Sequence, residues 1–203
     1  EPTRFDGVSR IESLSGERRF AVAFREKDAI VIDAEAAVEA YRGDVGETVL
    51  VRAGDGSTRL LVKGAKEYEI RKLPSGEVVW SGPSPSAFDR RRQRLLVADT
   101  DFSNIHSPVG FLEVLRAADG TSERRLEMSV DAALSKVFLA ADIAPDLSAV
   151  FYAAVEGDLR RLNLKTGADQ RLAKRTDGLI WFSVAATADG KHGTAPWQRP
   201  WHP

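Results

Sequence analysis

The sequence predicts an all-β protein assembled from a repeated unit of four antiparallel strands, and three observations carry that expectation. One strand-turn-strand pattern occurs four times, a second hairpin precedes each copy, and successive units lie about 43 residues apart, measured as the mean of the four intervals between Gly16 and Gly190.

The first pattern is clearest in EGDLRRLNLKTGADQRLAK (residues 156–174), where Leu162 and Leu164 lead into the turn Lys165-Thr166-Gly167 and a polar strand follows. GFLEVLRAADGTSERRLEM (110–128) has the same order around Ala118-Asp119-Gly120, and KEYEIRKLPSGEVVWSG (66–82) turns at Pro74-Ser75-Gly76. DAIVIDAEAAVEAYRG (28–43) is a weaker copy that lacks the glycine. The preceding hairpins share a turn of small or acidic residues and a short strand of high β-propensity: SGERRFAVAF (15–24), DGSTRLLV (55–62), DRRRQRLLVA (89–98) and PDLSAVFYAA (145–154). A fifth turn stands in TADGKHG (187–193).

The repeat length is that of a four-stranded propeller blade. The expected units cover residues 5–43, 44–82, 83–128, 129–174 and a partial 179–190, inside one domain over 1–190, with an irregular Pro/Trp tail at 191–203. In the fourth unit the strands are expected near 136–143, 149–154, 158–164 and 169–173. Blades stack face to face and bury both faces of their inner strands, which accounts for blocks such as VFLAADI and VFYAAV that do not alternate. The competing arrangement is a β-sandwich with coincidental hairpins.

APDLSAVFYAA followed by DLRRLNLKTG, and DGSTRLLV followed by YEIRKLPSG, resemble the bacterial TolB-type or WD-repeat-like β-propellers. Such blades carry Ser-Pro-Asp-Gly-like and Leu-x-Thr-Gly-like turns. The sequence departs from the pattern in having no Trp-Asp pair, no Gly-His pair and no complete Pro-Asp-Gly. The resemblance implies a binding platform and places the periplasm or cell envelope ahead of the cytoplasm. A seven-bladed ring needs roughly 290 residues at this period. The visible units therefore fit either a small ring closed by its last strand or, as the expectation taken here, a part of a larger propeller. The chain opens at Glu1 without the pattern of a signal peptide, as expected of a chain that has lost a leader or was cut from a longer one.

Composition narrows the function. With 43% hydrophobic and 29% charged residues the chain is expected to fold. The apolar run 149–155 is far too short to span a bilayer, and a formal charge of -1 supplies no general attraction for nucleic acid. The absence of cysteine removes disulfides, thiolate zinc sites and cysteine nucleophiles. No Gly-x-Ser-x-Gly elbow and no phosphate-binding glycine loop occurs, and His106, His192 and His202 are the three histidines. Arg90, Arg91, Arg92 and Arg94 read as solvated turn residues, Trp80 and Trp181 as packing, and Trp197 and Trp201 as a docking element or a disordered tail.

The richest polar stretch is ADTDFSNIHSP (98–108), which lengthens the third unit. Asp99 and Asp101 share one face of an extended strand, and with Asn104 and His106 they offer oxygen and imidazole donors of the kind that hold a divalent cation. The reading adopted is a surface loop rich in turn-formers, with Asp142 and Asp146 as turn caps and no metal or other cofactor. Recognition in a repeat protein falls on whatever breaks the repeat. Phe102, Asn104, Ile105 and His106 are therefore the expected contacts for a protein or peptide partner, in a non-enzymatic propeller scaffold with no catalytic residues. The alternative is the propeller portion of a larger hydrolase, peptidase-gating or metal-dependent. An exposed edge strand is also expected to invite self-association.

Overall fold

The computed structural model describes residues 7–14, 16–44, 47–89, 91–134, 138–154, 157–174, 180–181, 184–187, 193–194 and 197–198. Arg90, the fifth turn at 188–190, His192, Trp201 and His202 lie outside the described residues.

Four antiparallel sheets follow one another along the chain, each a simple meander of four strands. The first contains β1 (Arg10–Glu12), β2 (Phe20–Phe24), β3 (Asp28–Asp33) and β4 (Val38–Asp44), and the second β5 (Thr48–Arg52), β6 (Thr58–Lys63), β7 (Tyr68–Lys72) and β8 (Val78–Gly82). The third contains β9 (Ala87–Phe88), β10 (Arg94–Asp101), β11 (Val109–Arg116) and β12 (Ser122–Met128). A helix, α1 (Val130–Leu134), leads to the fourth sheet, β13 (Phe138–Ile143), β14 (Ala149–Ala154), β15 (Leu159–Asn163) and β16 (Asp169–Ala173). Beyond it β17 (Ile180–Trp181) pairs with β20 (Trp197–Gln198), and β18 (Ala185–Ala186) with β19 (Gly193–Thr194). The chain is thus all-β, a propeller-like array of four-stranded antiparallel sheets.

Each sheet buries both of its faces. In the first, Phe20, Val22, Phe24 and Val31 line one face while Ala23 and Ile30 are equally buried on the other. In the second, Leu50 and Leu60 oppose Val51, Leu61 and Ile70 across the sheet. Leu96, Leu112 and Val114 against Leu95, Val97 and Phe111 do the same in the third, and Val150 and Tyr152 against Phe151 and Ala153 in the fourth. A two-sheet sandwich leaves the outer face of each sheet to water, whereas both faces of each sheet here are covered, as in the blade of a propeller-like array.

The chain divides into two compact units, Glu1–Ser84 with Arg91–Gln93 and Arg116–Thr121, and Pro85–Arg90 with Arg94–Leu115 and Ser122–Pro203. Within the first, Leu14, Phe20, Val22 and Val31 pack against Leu50, Leu60 and Val62. The Thr58 hydroxyl donates to Glu17, and the Arg52 amide donates to the Arg92 carbonyl at 2.8 Å. Within the second, Leu96, Leu112 and Val114 meet Val150, Tyr152 and Leu162, and the far face of the fourth sheet packs on Val184 and Ala186. Asp142 was expected to cap a turn. It lies instead in β13, buried, where Oδ2 accepts the Ala186 amide at 2.7 Å, because the aligned strand delivers its carboxylate to the next segment. Asp146 does cap its turn, accepting the Ser148 amide at 3.0 Å.

The turns account for the repeat's sequence signature. Gly76, Gly120 and Gly167 have φ of 73, 70 and 73°, and each donates its amide to the carbonyl four residues back. The unit without a glycine makes the same bend with Ala37 at φ 56°. In the first-hairpin turns, Arg92 and Leu147 take φ of 53 and 58°, against 79 and 83° at Gly16 and Gly56. An L-residue in the left-handed region costs about 1–2 kcal/mol, offset in part by the greater unfolded-state freedom of glycine. Ala37→Gly is expected to stabilise the protein by up to about 1 kcal/mol, read as a higher urea midpoint at unchanged slope.

Gly120 carries a second constraint, since a methyl group there would overlap the indole of Trp80, which also lies across Gly82. Gly120→Ala is expected to cost at least about 2 kcal/mol, combining strained φ with overpacking. Trp80→Ala in the same chain should recover the overlap part alone, which a double-mutant cycle of urea midpoints measures.

Candidate functional site

The third sheet departs from its neighbours at one end. In a meander, the first and third turns lie at one end, and the middle loop and the link to the next sheet lie at the other. Middle loops span 25–27, 64–67 and 155–158 in the other sheets but 102–108 in the third. Its strands β10 and β11 are also 8 residues each, against 5 or 6 for their counterparts. The links tell the same story: residues 45–47 and 83–86 join the earlier sheets, whereas 129–137 join the third to the fourth and contain α1.

The two insertions meet. Gly110 at the base of β11 pairs with Met128 at the end of β12, so loop and link leave the sheet side by side. A side chain at Gly110 would lie 2.7 Å from the Ala133 methyl and overlap the Ser129 carbonyl, so its absence lets α1 sit directly on the hairpin base. Ser129 caps the helix, its hydroxyl accepting the Ala132 amide at 3.2 Å, and Ala133 is fully buried. Sequence reading missed this helix, whose only local signal is the capping serine followed by Asp131 in the first turn.

All four expected contacts lie on loop 102–108. Phe102 is 62% and Ile105 76% exposed. The main chain between them is held by its own side chains: Asp101 accepts the Ser103 amide at 2.8 Å, Asn104 Oδ1 accepts the His106 amide at 3.1 Å, and the Asn104 carbonyl accepts the Ser107 amide at 3.1 Å. Asn104 therefore acts within the loop, while His106 is exposed. Below the loop, Arg125 stands 3.5 Å from Asp101 and stacks 3.9 Å over the Phe111 ring. Hydrogen bonds from the Ser103 amide and hydroxyl, with help from Arg125, hold the Asp101 carboxyl below its usual value.

Other chemistry is thin. Among the described residues no three His, Asp or Glu side chains come together as an ion-holding group. A cleft of about 10 Å³ near Glu12 and Arg92 and one of about 100 Å³ near Asp44 and Lys63 fall well short of the range for small-molecule sites. Tyr152 donates to Asp169 at 2.6 Å and Arg160 to the same carboxylate at 3.0 Å. Burial, and then Asp169, push the Tyr152 phenol upward, so the cluster fastens three strands rather than offering a base. Two arginines of the run are spent on structure: Arg92 reaches Glu12 at 3.6 Å, and Arg94 reaches Glu123 at 2.7 Å and the Pro145 carbonyl at 3.3 Å. No helix of the described residues is long and apolar enough to cross a membrane.

No protein-family model and no curated protein matches this chain. What the chain offers must therefore be read from the hairpin itself.

Asp101 is the fastening with a titratable group. Its folded carboxyl titrates lower than an unfolded one, so its contribution is complete above the ordinary aspartate range and fades as pH falls through the depressed folded value. Asp101→Ala is expected to speed amide exchange at Ser103 at neutral pH, while global stability stays within about 0.5 kcal/mol, as for other surface changes. Exchange measured on both proteins, corrected for the intrinsic pH dependence, should converge at acid pH. Unchanged exchange in the variant would show that the loop is held by other means.

Proposed function

We propose that this chain is a non-enzymatic scaffold that binds a protein or peptide partner through the β10–β11 hairpin. Phe102 and Ile105 are the apolar anchors, and Asn104 and His106 belong to the polar surround. The observation that carries the reading is the placement of two large apolar side chains, 62% and 76% exposed, on one loop whose own hydrogen bonds fix its main chain. Such a loop has little conformational freedom left to lose on binding, which raises affinity for a given contact. The turn resemblance to TolB-type and WD-repeat-like propellers supports the same reading, since these frameworks act as platforms.

A photoreactive side chain at position 102 should capture the partner covalently, and the purified partner then permits a direct measurement. Phe102→Ala with Ile105→Ala is expected to weaken binding at least tenfold, since central anchors carry about 2 kcal/mol or more each. Stability should stay within about 1 kcal/mol of the parent. Undiminished affinity in the double variant, or a large loss of stability, would overturn the proposal.

A further inference from the structure

The four outer strands can be compared as edges, because each presents one unpaired side to its surroundings. All four are blunted by a bulge, which skips Ala40 in β4, Val79 in β8, Glu123 in β12 and Leu172 in β16. Three also carry charge: Glu39, Arg42 and Asp44 in β4, Glu123, Arg124, Arg125 and Glu127 in β12, and Asp169 and Arg171 in β16. Only β8, Val-Val-Trp-Ser-Gly, has none.

Charge decides what each edge can accept. Overlapped antiparallel on its own copy, β12 would set Arg125 against Arg125 and Glu123 against Glu127, and β16 would set Arg171 against Arg171. Like charges directly opposite are destabilising. In β4, Arg42 already binds Glu39 and Asp28, and pairing would strip water from all three. The same overlap of β8 sets Trp80 opposite its counterpart, Val78 opposite Gly82 and Val79 opposite Ser81, with no charge buried. Val78 is 45% exposed, Ser81 is exposed, and the Trp80 indole lies back across Gly82 and Gly120. Among the described residues β8 makes no hydrogen bond except in its ladder with β7.

We propose that β8 is the edge through which two copies of this chain associate, antiparallel and strand to strand. The bulge at Val79 lies within this overlap and interrupts its regular ladder, so the contact is small and the dimer is in exchange with monomer.

Sedimentation equilibrium over a concentration series tests this on the whole chain. The average mass is expected to climb from the monomer's 22.2 kDa toward twice that value. Val78→Lys should weaken association at least tenfold, and Ser81→Lys should do the same by a second route. Val38→Lys, on the charged edge β4 and 50% exposed, should change it less than twofold. The Phe102→Ala, Ile105→Ala variant should associate like the parent, so that this edge and the hairpin proposal fail separately. A parent that stays monomeric throughout, a loss from Val38→Lys equal to that from Val78→Lys, or a loss from the hairpin variant would each overturn the assignment.

Discussion

Burial of both faces of every four-stranded sheet is the constraint on which the rest of this structure depends. A fully buried Leu, Ile or Phe side chain contributes about 1.5–3 kcal/mol, and Leu60, Ile70, Leu112 and Phe151 are buried on middle strands that have no solvent side to spare. A sheet of this kind has no stable existence without neighbours. Within each compact unit, consecutive sheets support one another, as in other repeat architectures where stability is summed over repeats and the contacts between them. Polar ties at the sheet ends span roughly one repeat: Glu17 to Thr58, Arg124 to the Leu164 carbonyl, and Asp142 to the Ala186 amide join residues 41, 40 and 44 apart. They align layers that apolar contact alone would let slide.

The same constraint explains which irregularities are tolerated. Ala37, Arg92 and Leu147 hold left-handed conformations that cost each of them energy, yet each sits in a turn next to a middle strand, β3, β10 or β14, that is buried on both faces. Arg92 shows how such a residue is retained, for its side chain reaches Glu12 and the Leu50 carbonyl while its own carbonyl accepts the Arg52 amide. Bulges in all four outer strands belong to the same logic. An outer strand has a neighbour on one side alone, so the extra residue disturbs a single ladder and blunts the edge at the same time.

What the sequence made legible is what is local and repeated. Turn glycines with their preceding polar residues recur because the backbone requires them, and four copies at one spacing gave the strand order of the fourth sheet within two residues. Asp146 was readable as a cap because its partner is two residues away, whereas the partner of Asp142 is forty-four residues away and no local rule reaches it. The bulges leave no mark in composition. Helix α1 was hidden because a five-residue helix with one buried alanine has no periodicity to detect. The break at 101–109 was visible as an interruption of the repeat. The exposure of Phe102 and Ile105 was an expectation that only coordinates could settle, since such residues more often enter a core.

The position of that break follows from the packing. An insertion in a strand would shift every side chain beyond it to the opposite face, which a sheet buried on both faces cannot accommodate. Insertions are therefore confined to loops and links, and lengthening a surface loop costs only slowly with its length. A long loop alone, however, presents side chains on a mobile tether. Here the hairpin extends β10 and β11 as paired strands, α1 packs on its base where Gly110 leaves room, and Asp101 and Asn104 accept the Ser103 and His106 amides of the tip. The apolar pair Phe102 and Ile105, held on a braced hairpin rather than drawn into either face of the sheet, is what the third unit adds to an otherwise repetitive frame.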